Sequence, residues 1–209
     1  MKKVLFLMVL ITNLAFAQEE VKGIIIKKIP FEDKFGKNTL ILTETKRYKS
    51  TAEELKLDNK TDCEYCRSKE IYAYLYRGKN KIWQVRDFVH NCEDNMEVEF
   101  IEKAISITDI DKNGVKEVWL PYTLFCKKDL TPSTMKIIIY EDKTKYAIRG
   151  QTKICAKNYS EGGNYKLDKA LEKTKNFKKY AINLWNENNL EYRQIYTDNE
   201  DNKVKAQCK

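Results

Sequence analysis

Short runs of β-branched and aromatic residues, each closed by a polar turn, constrain this chain most. Glu70–Tyr76 and Lys81–Val89 flank Arg77-Gly78-Lys79-Asn80, while Met135–Tyr140 and Lys145–Arg149 flank Glu141-Asp142-Lys143-Thr144. Strand-forming runs joined by so short a link read as antiparallel hairpins, because a parallel crossover needs about a dozen residues. Val21–Ile29 and Thr39–Thr45 repeat the arrangement across a turn at Phe35-Gly36-Lys37-Asn38. A second pattern follows. Leu167, Ala170, Leu171, Phe177, Tyr180, Ala181, Leu184 and Trp185 recur at helical spacing with lysines between them, which predicts an amphipathic helix with a break near Thr174–Asn176. Thr51-Ala52-Glu53-Glu54 has the form of a capping box that starts a short helix. Residues 57–69 and Tyr159–Asn164 read as loops. The expected fold is α+β, mainly an antiparallel β-sheet meander with a C-terminal amphipathic helix.

The N-terminus bears on compartment. Lys2 and Lys3 precede an apolar run from Val4 to Leu14, and Ala15-Phe16-Ala17 has the small-x-small form that signal peptidase cuts. The run is shorter than the roughly 20 apolar residues a membrane span needs. Residues 1–17 therefore read as a signal peptide, 18–196 as a single β-rich domain and 197–209 as a charged tail. No transmembrane segment is expected after cleavage, and the location is periplasm, cell surface or secreted. The formal net charge is +8, but Lys alternates with Asp and Glu along the chain instead of gathering in a patch, so no nucleic-acid partner is expected. All six cysteines, Cys63, Cys66, Cys92, Cys126, Cys155 and Cys208, follow the leader. An even number in an oxidising compartment predicts disulfides. Cys92 and Cys126 flank the middle of the chain, and we favour pairing them.

That middle holds the densest chemistry. Asp109, Asp111, Asn113 and Glu117 alternate along Asp-Ile-Asp-Lys-Asn-Gly-Val-Lys-Glu, with Gly114 at the tight point of the loop. Hard cations such as Ca²⁺ take six to eight oxygens at about 2.3–2.6 Å, and a short acidic loop supplies them. An EF-hand would place a bidentate Glu where Leu120 stands, and the flanks here are strand-forming. The stretch resembles the strand–loop–strand calcium loop of FG-GAP repeats in integrin-type propellers. That resemblance implies side-chain ligation by Asp109, Asp111, Asn113 and Glu117, with the Val115 carbonyl as a further ligand. The alternative is an Asx-rich β-turn without an ion.

Other groupings are weaker. Cys63-Glu64-Tyr65-Cys66 has thioredoxin-like spacing, but a strand pattern follows where that chemistry needs a helix start, so a structural disulfide is preferred. His90 is the lone histidine, and its neighbour Cys92 is expected to be oxidised rather than nucleophilic. Trp83, Trp119 and Tyr122 are candidates for stacking on a glycan, against the alternative of core packing. No catalytic residue is assigned. An enzyme acting on glycan or lipid-linked sugar through paired carboxylates is the rival reading.

Several segments taken together carry a family resemblance: Trp83–Phe88, Ile107–Tyr122, Pro132–Gly150, Gly162-Gly163 and Ala181–Trp185. Over roughly residues 70–190 the chain resembles exported Bacteroidota proteins labelled surface polysaccharide biosynthesis proteins. The resemblance implies a non-catalytic part in making or assembling lipopolysaccharide or capsule, with surface glycan or envelope assembly proteins as partners. It brings no catalytic residues with it.

Overall fold

The computed structural model describes residues 21–156, 159–193, 195–197 and 203–205. The expected signal peptide at 1–17, Cys208 and most of the expected tail lie outside them. The protein is mostly antiparallel β-sheet. Its strands divide between two principal sheets, where the sequence suggested one continuous meander. The first contains β1 (Ile24–Asp33), β2 (Gly36–Glu44), the two-residue β3 (Tyr48–Lys49), β4 (Arg67–Arg77) and β5 (Asn80–Cys92). The second contains β6 (Asn95–Phe100), β7 (Ser106–Thr108), β8 (Glu117–Lys127), β9 (Thr134–Glu141), β10 (Thr144–Gln151) and β13 (Tyr165–Leu167). A small third sheet joins β11 (Lys153–Ala156), β12 (Tyr159–Gly162) and β14 (Leu190–Arg193), and β11 and β14 run parallel. The Tyr159–Asn164 stretch thus forms a strand over four of its residues, because β11 offers it an antiparallel partner. Within the expected tail, Lys203–Lys205 pairs with Ile195–Thr197.

Alternation along the strands decides what each face meets. Ile71, Ala73 and Leu75 on β4, with Trp83, Val85 and Val89 on β5, face Val118, Leu120, Ile138 and Ala147 across one shared core. The opposite face of β8–β10 carries Trp119, Ile137, Ile139, Tyr146 and Ile148. Two helices cover it: α2 (Lys169–Lys173) and α3 (Lys175–Asn188), which supply Leu171, Phe177, Ala181, Leu184 and Trp185. Each large apolar side chain enclosed in this way contributes about 1.5–3 kcal/mol. The helical segment is interrupted at Thr174, whose φ of −101° and ψ of 88° leave the helical region. Asp168 caps α2 by accepting from Leu171 N at 2.7 Å. The capping box also forms: α1 (Ala52–Leu57) begins with Thr51 Oγ1 accepting from Glu54 N and Glu54 Oε2 accepting from Thr51 N.

Among the described residues, two disulfides have both partners in view. Cys92, the last residue of β5, bonds Cys126 on β8, so one bond ties the two principal sheets together. Closing the intervening stretch of 34 residues restricts the unfolded chain by about 4 kcal/mol in the chain-entropy picture. Cys63 bonds Cys66 in the irregular segment before β4, and no helix start stands beside that pair. Cys155 is also disulfide-bonded.

Candidate metal centre

The Asp109–Lys116 loop connects β7 to β8, which pair antiparallel with Thr108 opposite Glu117. The turn is tight. Lys112 and Gly114 both adopt left-handed backbone, at φ 60° and 81°. Lys112 bears a Cβ in that conformation, whereas Gly114 meets it without steric cost. The loop is anchored to the first sheet through the β1–β2 turn, where Lys34 N donates to the Gly114 carbonyl at 2.8 Å and Lys34 Nζ to the Asn113 carbonyl at 3.3 Å.

Glu117 is the centre of the arrangement. Its side chain is wholly enclosed. Thr108 Oγ1 donates to it at 2.5 Å and Ile110 N donates to both carboxylate oxygens at 3.1 Å. Trp119 Nε1 in turn donates to Thr108 Oγ1 at 2.7 Å, which fixes that hydroxyl. All of these donors are neutral. Carboxylate oxygens of Asp109, Asp111 and Glu117 lie within 4.8 Å of one another. Directly opposite Glu117, on β9, stands Glu141. Cations stand at the rim: Lys116 Nζ is 3.6 Å from Asp109 Oδ2, and Lys34 Nζ is held by the Asn113 carbonyl. Burial therefore pushes the Glu117 carboxyl up from its ordinary value, and the charge of Asp111 adds to the shift.

Of the five candidate ligands, the carboxylates of Asp109, Asp111 and Glu117 converge. Asn113 is adjacent, but its Oδ1 accepts from Val115 N at 2.7 Å and its Nδ2 donates to Asp111 Oδ2 at 2.9 Å and Glu141 Oε1 at 2.5 Å. The Asn113 amide thus presents hydrogens to the carboxylates, which is part of what a cation would do there. Asp111 also closes an Asx turn by accepting from Asn113 N at 3.2 Å. Val115 is buried and its N–H is taken by Asn113. Three carboxylates held this closely, one of them dry and with neutral donors alone, fit a hard divalent ion. Such an ion would rest on Asp109, Asp111 and Glu117 first.

The three rings proposed for glycan stacking share no surface. Trp83 sits in the inter-sheet core, stacked on Tyr140 at 4.4 Å between ring centroids. Trp119 lies on the opposite face of the second sheet, under α3. Tyr122 is enclosed to its hydroxyl, which donates to Asp87 Oδ2 at 2.7 Å. Their rings fill cores because each occupies an inward position of its strand. Cys92 is bonded to Cys126 and is no nucleophile for His90, and Cys63 and Cys66, being joined, offer no thiolate.

His90 belongs instead to a network that sequence reading missed. Its Nε2 lies 3.2 Å from Glu54 Oε1 and 3.4 Å from Glu70 Oε1. Glu70 also takes Lys22 Nζ and Arg86 at 2.6 Å each, and the Tyr72 hydroxyl. Burial would raise the Glu70 carboxyl, but Lys22, Tyr72 and Arg86 outweigh it and hold it at about 2. Glu54, bonded by Thr51 N, Tyr48 and Ser68, is also lowered against the effect of burial. Both carboxylates are kept ionised, so neither is the poised proton donor that glycoside cleavage requires. The i, i+2 spacing of Glu70, Tyr72, Tyr74 and Tyr76 was the visible signal for one shared face. Placing Arg86 and His90 beside it requires the β4–β5 register.

No family model matches this chain, and neither a curated protein nor a solved structure matches it. Function must be read from the side chains.

Proposed function

We propose that the chain is an exported, non-catalytic envelope protein whose Asp109–Glu117 connection is stiffened by Ca²⁺, and that it supports surface polysaccharide biosynthesis or assembly. The observation that carries the cation reading is Glu117: a fully enclosed carboxylate facing two others, with neutral donors alone. The formed disulfides favour an oxidising, exported setting, and none of the described helices is long and apolar enough to cross a membrane. The polysaccharide role is supported by the sequence resemblance. We class the fold as α+β, with α2 and α3 as the helical layer on an antiparallel frame.

Ca²⁺ that binds the folded state alone stabilises it by about 2.7 kcal/mol at a hundredfold excess over Kd. For a domain of this size that corresponds to a rise of roughly 5–10 °C in Tm. Chelation with EDTA should lower Tm by that amount, calcium should restore it, and Asp109→Ala and Asp111→Ala should abolish the response. A Tm indifferent to chelator removes the cation. Loss of the protein from its host should alter the surface polysaccharide ladder on a gel; an unchanged ladder removes the envelope role and leaves the cation site standing.

A further inference from the structure

The second sheet carries a row of cations that nothing in the cation-loop reading uses. Lys136 lies directly opposite Tyr122 on one side and Arg149 on the other, and Arg149 lies directly opposite Lys166. Residues facing each other on neighbouring strands project from the same side of a sheet, about 4.8 Å apart. Three positive charges therefore stand abreast on β9, β10 and β13. Like charges so placed repel, and a sheet that keeps them sacrifices stability.

The face they occupy is the one turned towards the first sheet. One row further in, Leu120, Ile138 and Ala147 belong to the shared core. At the cation row the core gives way to a cleft of about 260 Å³. It is lined by Gln84, Asp87, Tyr122, Lys136, Lys145 and Arg149 among others, and Asp87 is the sole carboxylate of that lining. Asp87 is already committed. Its Oδ2 accepts from Lys136 Nζ at 2.6 Å and from the Tyr122 hydroxyl at 2.7 Å, and its Oδ1 accepts from Phe88 N at 3.0 Å. Arg86, which also lines the cleft, is held by Glu70. Lys145, Arg149 and Lys166 have no carboxylate within ion-pair distance among the described residues. The cleft thus has one neutralised pair at its base and unneutralised cations around it.

We propose that this cleft binds a phosphoryl group, carried by a small phosphate ester or by a lipid headgroup. The guanidinium of Arg149 offers a planar fork that matches two oxygens of a tetrahedral anion. Lys145 supplies a point charge beside it. The hydrogen bonds from Lys136 and Tyr122 to Asp87 fix the wall so that little ordering is needed on binding. The proposal is independent of calcium, because the acidic loop begins β8 five residues before Tyr122 and contributes none of these side chains.

The test is titration of the full chain with inorganic phosphate at low ionic strength, followed by calorimetry. Saturable binding at a single site in the millimolar range or tighter is expected, and Arg149→Gln should weaken it at least about tenfold. Lys173→Gln on α2, remote from the cleft, should leave it unchanged. Tm measured without phosphate reports folding separately: Arg149→Gln should melt no lower than the parent chain, since it removes repulsion. Glucose 1-phosphate binding more tightly than phosphate points to a soluble ester. Retention on phosphatidylglycerol vesicles but not on phosphatidylcholine vesicles points to a headgroup. A response to phosphate that never saturates, or that Lys173→Gln weakens as much as Arg149→Gln does, overturns the proposal.

Discussion

The acidic connection and the basic row meet on β9, where Glu141 and Lys136 sit five residues apart, and each sets like charges face to face. Glu117 opposes Glu141 across β8 and β9; Lys136 opposes Arg149 across β9 and β10. They differ in their surroundings. Glu117 is enclosed by Thr108, Ile110 and the Trp119 ring, whereas Arg149 and Lys145 reach into solvent. Charges in water are screened within about 8 Å at physiological salt, but an enclosed carboxylate keeps nearly the full effect of its neighbours. The same sheet can therefore tolerate bare cations at its open end, while its closed end calls for a proton or a metal ion. Burial, more than charge count, decides which cluster demands a counterion.

The largest expected effect breaks the two ends apart in a single pair of variants. Glu117→Ala leaves the Ile110 N–H and the Thr108 hydroxyl without their acceptor in a dry pocket. In EDTA this should cost about 2–3 kcal/mol in urea unfolding, the usual result of stranding buried donors. Arg149→Ala, at an exposed position without an ion partner, should stay within about 0.5 kcal/mol of the parent. Equal losses at the two sites would mean that burial does not separate them.

The sequence carried the strand frame well because its signal is local. The two hairpins, the capping box at Thr51 and Glu54, and the acidic loop between two strands all depend on residues close in the chain. The Cys92–Cys126 bond was also legible. The division into separate sheets was not, since it depends on which strands share hydrogen bonds over long separations. The same limit hid both electrostatic clusters. Lys136, Arg149 and Lys166 are unremarkable lysines and an arginine until the β9–β10 and β10–β13 registers bring them abreast. Trp83 and Trp119 illustrate a different failure: an aromatic residue on a strand looks the same in sequence whether its ring meets a ligand or a core.

pH gives a smaller but sharper contrast. The folded value of Glu117 is raised, so its ionisation costs stability as pH climbs from the ordinary carboxylate range through that higher value. Glu70 has the opposite sign. Held at about 2, it contributes stability above the ordinary carboxylate range, and this is lost as pH falls towards 2. In the proposed site calcium would compete with the proton on Glu117, whose carboxyl is held above its ordinary value. Calcium binding should therefore release protons at a pH just above the ordinary carboxylate range and progressively fewer as pH rises. Calorimetry in buffers of different ionisation enthalpy measures this. Glu117→Gln should remove the release, whereas a variant of the basic row such as Lys145→Gln should not change it. Proton release that survives Glu117→Gln would place the titrating group elsewhere.

Salt should give the smallest effect, and it addresses the open end directly. If Lys136, Arg149 and Lys166 repel through water, their mutual energy must fall as ions crowd between them. The screening length is about 30 Å at 0.01 M salt and about 3 Å at 1 M. Arg149→Gln should then raise the unfolding free energy by about 0.5 kcal/mol in dilute buffer and by nothing measurable at 1 M. Asp87 sharpens the expectation, because it already neutralises Lys136, so the repulsion left over is chiefly that between Arg149 and Lys166. Lys166→Gln should accordingly reproduce most of the gain, and combining it with Arg149→Gln should add little. The hydrogen bonds that Glu117 accepts from Thr108 and Ile110 should show no such dependence, since their donors are neutral. A gain from Arg149→Gln that persists at 1 M would mean that the arginine is strained by packing instead of by charge, and the electrostatic case for an anion in the cleft would fall with it.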